Sequence, residues 1–180
     1  MMFCHGLARV PQRHASVLPG RFHGQDHPGE GCRQVIGLLQ RVSRASVEVQ
    51  GVEIAAIGEG LLVLVGVEKG DGEAQAQRLL ERLLGYRVFP DGQGRMNRSL
   101  RDVGGSLLLV PQFTLPADTR KGTRPGFSAA APPEQGERMF DYLLEQARKV
   151  HPVVEAGRFG ADMRVCLCNE GPVTFWLQAR

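Results

Sequence analysis

The chain has 180 residues with 22 basic and 19 acidic side chains, a formal net charge of +3 and four cysteines. This length fits one domain of ordinary size, and no apolar run reaches the roughly 18 residues of a membrane helix. Four cysteines are too few for a disulfide framework, so we expect a cytoplasmic protein with no secretory signal and no membrane partner.

The first 34 residues differ from the rest of the chain. They hold four of the five histidines, no lysine and no apolar periodicity, a composition typical of a disordered extension. The spacing of the potential metal ligands in this segment matches no zinc-binding pattern, so we expect no metal site. These ligands are Cys4, His5, His14, His23, His27 and Cys32.

One hypothesis is that the native protein starts at Val35, read as methionine from an alternative start codon, and that residues 1–34 are not native. The folded domain is then 35–180. It holds 18 basic and 17 acidic residues, which is close to neutral. Any contact with nucleic acid must therefore come from local basic clusters.

From Val35 onwards the pattern becomes regular. Residues 35–49 predict one or two strands, residues 51–58 another, and 60–67 form an apolar run typical of a strand covered on both faces. Residues 71–84 predict a helix with Asp71 as its N-cap and Glu73 in its first turn. Its apolar stripe is Leu79, Leu80, Leu83 and Leu84.

The second half of the chain continues the alternation. Residues 85–90 predict a short strand, 106–115 a buried strand, and 133–150 a helix with Pro133 in its first turn. The intervening segment 115–133 is rich in Gly, Pro and charge, and loops of this length are usually functional. Strand-like segments follow at 153–160, 163–168 and 173–178. This order predicts an α/β domain with a mixed sheet or open barrel and two covering helices.

Few residues of the regular part are candidates for a catalytic role. The regular part has one histidine, His151, at a predicted helix end, where a capping or surface role is favoured. Cys166 and Cys168 face the same side of a strand, which favours packing over redox chemistry. Thr114 follows a buried strand with Gln112. Its hydroxyl is either a nucleophile with no visible base or a strand-end group bonded to its own backbone.

Gly171 and Pro172 raise a separate question. They stand between two strand-like segments, where a sheet ladder normally excludes both residue types.

The segment from Val35 to the end resembles the D-aminoacyl-tRNA deacylases, also called D-tyrosyl-tRNA deacylases. The resemblance is carried by LLQRVSRASVEV, GLLVLVGVEKGD, LGYRVFPD, GRFGADM, and above all QFTL paired with NEGPVT. It implies hydrolysis of the ester that joins a D-amino acid to the 3′-terminal adenosine of tRNA, and clearance of glycine from mischarged tRNA. It also implies a cytoplasmic homodimer with a barrel-like mixed sheet and no metal or cofactor.

The same resemblance implies the site residues. Gln112, Phe113 and Thr114 of one subunit and Gly171 and Pro172 of the other are expected to line each active site. The Gly-Pro bond is expected to be cis, with main-chain carbonyls that accept from the substrate ammonium and reject L-enantiomers. Further expected substrate-binding residues are Asn169, Val173, Thr174 and Arg41, the last as a support of the Gly-Pro segment.

The resemblance also bears on the mechanism. Backbone N–H groups near Phe113 and Thr114 are expected to stabilise the oxyanion, and Thr114 to position the substrate instead of attacking it. Five loop residues are candidates for tRNA phosphate contacts, although each taken singly reads as solvated charge: Arg95, Arg98, Arg120, Lys121 and Arg124.

Two residues depart from the family pattern. Pro111 and Gly126 stand where the family commonly has serine, and Pro111 lacks both a hydroxyl and a backbone donor. Two alternative functions therefore stay open. One is a silent RNA-binding or scaffold protein that lost activity through Pro111, and the other is a small-molecule amidase or esterase.

Overall fold

The computed structural model describes residues 34–180. In chain order its elements are β1 (Val35–Val49), β2 (Val52–Ile57), β3 (Gly60–Gly66), α1 (Glu73–Gly85), β4 (Phe89–Pro90), β5 (Met96–Arg98), α2 (Leu100–Val103), β6 (Ser106–Pro111), α3 (Pro133–Val150), β7 (Val154–Ala156) and β8 (Met163–Ala179). The potential metal ligands of the N-terminal segment lie outside the described residues, as does the expectation of disorder there.

The sheet is organised around β1. The first half of β1 pairs antiparallel with β3 and its second half with β2, while β8 pairs with β1 over almost its whole length. On the other side, β3 pairs parallel with β6, and β6 pairs parallel with β7. The result is the mixed, barrel-like sheet that the sequence predicts.

Alternation along the two central parallel strands divides the core. Leu61 and Leu107 face the helix-covered side, where they join the apolar stripes of α1 and α3. Leu62 and Leu108 face the opposite side, where they pack with residues of β1 and β2. Because both faces are covered, these strands read as continuous apolar runs, and each buried leucine contributes about 1.5–3 kcal/mol.

The predicted N-cap of α1 is wrong. The helix begins at Glu73 after Gly72, whose N–H donates to Gln75 Oε1 at 3.1 Å. The Asp71 side chain is buried and turns back into the preceding loop, where its Oδ2 accepts from the Glu68 N–H at 2.8 Å. Burial raises the pKa of the Asp71 carboxyl.

Other differences come from short elements. The described residues contain three helices instead of two, since the four-residue α2 forms where Ser99 caps its start. The strand predicted at 85–90 shrinks to β4, which pairs with β5 in a hairpin. The two strands predicted at 163–168 and 173–178 are one long strand, β8.

Burial bears on two sequence interpretations. The capping role predicted for His151 is confirmed, since it is the C-cap of α3, whereas the surface alternative is wrong, because the residue is 5% exposed with Nε2 2.8 Å from the Gly105 carbonyl. Cys166 and Cys168 are exposed, so they do not pack in the core. Among residues 34–180 no helix is long and apolar enough to cross a membrane.

Candidate active site

A cavity of about 720 Å³ opens where β3 and β6 end. Ligands of sheets with parallel strands bind at the carboxyl ends of those strands, and this volume suits a small-molecule moiety. Its floor includes Val65 and Val110, and its walls include Phe127, Phe140 and Phe159. The cavity is therefore mainly apolar.

The predicted catalytic segment forms one rim of this cavity. Gln112 and Phe113 line it, and the Gln112 N–H donates to the Val65 carbonyl at 2.7 Å, which ties the segment to the end of β3. A turn follows, in which the Leu115 N–H donates to the Gln112 carbonyl at 3.3 Å. Thr114 is not among the lining residues, but its Oγ1 accepts from Gln112 Nε2 at 2.6 Å.

Two backbone donors in this turn are available to a ligand. Within residues 34–180 the N–H groups of Phe113 and Thr114 have no hydrogen-bond acceptor. Both side chains are exposed, Phe113 by 63%. Adjacent unpaired N–H groups at a cavity rim can bind a carbonyl oxygen that acquires negative charge.

Gly66 lets this turn approach β3 closely. A Cβ at Gly66 would lie 2.8 Å from Leu115 Cβ and 3.0 Å from Pro116 Cδ. A side chain here would therefore displace the segment that carries Gln112 and Thr114. Sequence reasoning missed this role, although a glycine at the end of a buried apolar strand is the signal that points to it.

Pro111 fits the strand end without a lost ladder bond. β7 pairs with β6 only as far as Leu109, whose carbonyl accepts from the Gly157 N–H at 2.8 Å. Because backbone groups alternate along a strand, the nitrogen of Pro111 points to the same side, beyond the last residue pair with β7. The proline ring lies beside Gly157, whose Cβ would be 3.3 Å from Pro111 Cδ.

The second departure, Gly126, is also accommodated. Its backbone exchanges hydrogen bonds with Asp118 at 2.7 and 2.9 Å, and a Cβ there would meet nothing closer than 3.8 Å. The neighbouring Phe127 ring lies 5.5 Å from the Phe113 ring, in a tilted pair beside the cavity. Hydrogen bonds from Arg120 lower the pKa of the Asp118 carboxyl.

The Gly171-Pro172 peptide is cis, as the resemblance implies, and it protrudes from the sheet. In the β1–β8 pairing, Gln40 faces Thr174 and Val42 faces Asn169. The four residues 170–173 thus stand opposite the single residue 41 and bulge outwards. Both Gly171 and Pro172 are exposed, and Gly171 has a φ of +116°, a conformation that favours glycine.

Side chains brace this bulge from both strands. Asn169 Oδ1 accepts from the Val173 N–H at 3.0 Å, and its Nδ2 donates to Thr174 Oγ1 at 2.9 Å. Arg41 donates from Nη1 to the Val88 carbonyl, and its Nη2 lies 3.0 Å from the position of a Cβ on Gly171. These predicted residues therefore form one cluster.

The predicted site residues fall into separate groups in one chain. Gln112, Phe113 and Thr114 lie at the cavity, whereas Gly171 and Pro172 are absent from its lining among the described residues. Four of the basic candidates occupy loops: Arg95 just before β5, and Arg120, Lys121 and Arg124 between β6 and α3. The fifth, Arg98, was also expected in a loop but is the last residue of β5. None of these five lines the cavity formed by residues 34–180.

Comparison with known proteins identifies the family. The model of the family described as D-Tyr-tRNA(Tyr) deacylase matches residues 38–178. A D-aminoacyl-tRNA deacylase of Alkalilimnicola ehrlichii is 65% identical over 146 residues, which cover 81% of this chain and 97% of that protein. One from Vibrio cholerae is 59% identical over 145 residues, 81% of this chain and all of that protein.

Two solved structures have the same fold as this chain. A structure described as the c-Myc DNA unwinding element binding protein matches with a TM-score of 0.77 at 39% identity, and covers 81% of this chain and 99% of its own. A probable eukaryotic D-amino acid tRNA deacylase shares the fold at 18% identity, with a TM-score of 0.68 and the same coverage. By its sequence and its fold, the chain belongs to the D-Tyr-tRNA(Tyr) deacylase family.

Proposed function

We propose that the chain hydrolyses the ester bond of D-aminoacyl-tRNA and of mischarged glycyl-tRNA, and that it spares L-aminoacyl-tRNA. This reaction consumes water and releases a free amino acid and reusable tRNA, as a step of translation quality control in the cytoplasm. The observation that carries the proposal is the cavity rim at Gln112–Thr114, retained in a chain 65% identical to a D-aminoacyl-tRNA deacylase.

The rim supports ester hydrolysis without a metal or cofactor. The unpaired N–H groups of Phe113 and Thr114 suit the oxyanion that forms when water attacks the ester carbonyl, and such donors are worth about 10²–10³ in rate. Within residues 34–180 the only hydrogen-bond partner of Thr114 Oγ1 is the Gln112 amide, which cannot remove a proton. Thr114 therefore positions the ester, and the ribose 2′-hydroxyl assists the attacking water.

Rejection of L-substrates is assigned to the Gly-Pro bulge of a second subunit. Gly171 and Pro172 are exposed and lie outside the cavity lining of their own chain, so a homodimer would complete each site. Apolar exposure on β8 supports such an interface, since Trp176 is 48% exposed and Leu167 38%. Arg41, Asn169, Val173 and Thr174 hold the bulge in shape.

Backbone carbonyls at this bulge would accept hydrogen bonds from the substrate ammonium. An L-enantiomer would direct its side chain against the same main chain, so it loses those bonds and collides. Glycine has no side chain to collide, so a gate of this kind admits it. The basic residues Arg95, Arg98, Arg120, Lys121 and Arg124 remain candidates for contacts with tRNA phosphates.

The test is to follow ester loss from D-Tyr-tRNA, Gly-tRNA and L-Tyr-tRNA at the same enzyme concentration. We expect the protein to hydrolyse the esters of D-Tyr-tRNA and Gly-tRNA. The ester of L-Tyr-tRNA should hydrolyse no faster than it does without enzyme. Equal loss of the D- and L-esters would contradict the chiral gate. Binding of D-Tyr-tRNA without ester loss would support the silent RNA-binding alternative, and turnover of simple esters alone would support a small-molecule esterase.

A further inference from the structure

Charge is sparse in the cavity. Among the described residues that line it, the charged ones are Lys69 and Asp162, and the others are apolar or neutral. Lys69 is exposed and forms no ion pair within residues 34–180. An apolar cavity with one cation outside any ion pair in its lining suits a ligand that combines an apolar part with a single anionic group.

The backbone of Lys69 is fixed against the cavity wall. Its N–H donates to the Ala129 carbonyl at 2.9 Å, and the Ala131 N–H donates to the Val67 carbonyl at 3.0 Å. Ala130 and Ala131 belong to the cavity lining. The ammonium group therefore extends from an anchored point at the cavity, in contrast to a lysine on a free loop.

Lys69 and the catalytic segment follow neighbouring strands. Val65 of β3 pairs in parallel with Pro111 of β6, so the residues after both strands lie at the same edge of the sheet. Gln112 and Phe113 follow β6, and Lys69 follows β3. The cavity thus has the proposed ester-positioning residues after β6 and a cation after β3.

We propose that Lys69 binds the phosphate on the 5′ side of the terminal nucleoside of the substrate, as a positioning residue. The inference rests on the proposed function, which places the aminoacyl ester at the other end of that nucleoside. With the nucleoside in the apolar cavity, its ester and its phosphate emerge at different parts of the rim. The Asp162 carboxylate repels a phosphate, which leaves Lys69 as the lining group that attracts it.

Two minimal substrates isolate this contact: the D-tyrosyl ester of adenosine and that of adenosine 5′-monophosphate, which differ only in the phosphate. We expect the wild-type protein to prefer the phosphorylated ester by about fivefold in kcat/KM, through KM, as for an exposed ion pair. Lys69→Ala should abolish the preference and leave turnover of the adenosine ester unchanged, and Lys69→Arg should keep it. Lys149→Ala, which removes an exposed lysine paired with Glu145 on α3, should behave as wild type.

The same variants are then assayed on D-Tyr-tRNA at several salt concentrations. Loss of one phosphate contact should make the slope of log kcat/KM against log salt shallower by about 0.7 for Lys69→Ala, as for a single-stranded end. An unchanged slope, or an equal loss of activity on both minimal esters, would overturn the inference. Failure of the proposed function is distinct, since the wild-type protein would then leave D-Tyr-tRNA intact.

Discussion

Thr114 places a hydroxyl beside the cavity, and its hydrogen bond from the Gln112 amide bears on which of two roles it has. A nucleophilic threonine needs a proton acceptor, and within residues 34–180 the hydrogen-bond partner of Thr114 Oγ1 is this amide nitrogen, at 2.6 Å. This arrangement favours the proposed positioning role over nucleophilic attack.

We expect Thr114→Ala to lower kcat on D-Tyr-tRNA by about 10- to 100-fold, because a misplaced ester loses alignment with the N–H donors but not the donors themselves. Single-turnover assays measure the residual rate, with Thr119→Ala, an exposed threonine of the same loop, as the control. A D-tyrosyl ester trapped on Thr114 of the wild-type protein, together with complete loss in the variant, would restore the nucleophile.

At the scale of elements, the end of β3 governs the shape of the turn that carries Gln112–Thr114. Gly66 leaves room for Leu115 and Pro116, and the Val65 carbonyl holds the Gln112 N–H. The position of the turn therefore depends on direct contact with β3, although the two segments are far apart in the chain.

Gly66→Ala tests this contact between β3 and the turn. The added Cβ would lie 2.8 Å from Leu115 Cβ, so the turn must move. We expect kcat/KM to fall by about 10²-fold and the stability by about 1–3 kcal/mol. Gly58→Ala is the matched control, since a Cβ there meets nothing within 4 Å. Wild-type kinetics in Gly66→Ala, with thermal unfolding at the same temperature, would show that the close approach is irrelevant.

At the scale of the whole molecule, the proposed function places the two groups of site residues in two copies of the chain. The cavity lining contains Gln112, whereas the exposed Gly171-Pro172 bulge lies outside the lining within the described part of the chain. A site built across a two-fold axis predicts that two different defective subunits repair each other.

The test mixes a Gln112→Ala/Thr114→Ala double variant with Gly171→Ala, whose Cβ would lie 2.8 Å from Val173 Cγ2. After co-refolding, half of the dimers are heterodimers with one intact site each, so about a quarter of the wild-type activity should return. Each variant refolded alone provides the baseline. Activity of the mixture that equals the average of the two variants would place the whole site within one chain.

Local sequence signals predicted most elements. The apolar runs of β3 and β6, the leucine stripe of α1 and the proline at the start of α3 each depend on neighbouring residues, so their signals are present in the chain itself. The prediction of Asp71 as the N-cap was wrong because its carboxylate accepts a hydrogen bond from the preceding Glu68 N–H. The side chain is buried in the tertiary structure, which the local pattern does not show. The local pattern also did not predict that β8 continues across Gly171 and Pro172. The strand is continuous because it pairs with β1 on both sides of the bulge.

The sequence by itself determined the α/β class, the family and the residue types of the candidate site, since these depend on periodicity and on motifs such as QFTL and NEGPVT. Only the tertiary structure decided where those residues lie. It joined the ends of β3 and β6 into one cavity, placed Lys69 and Phe127 in its lining, and set Arg41 against Gly171. These contacts link residues that are distant in the chain, and strand pairing, which no local pattern encodes, brings them together.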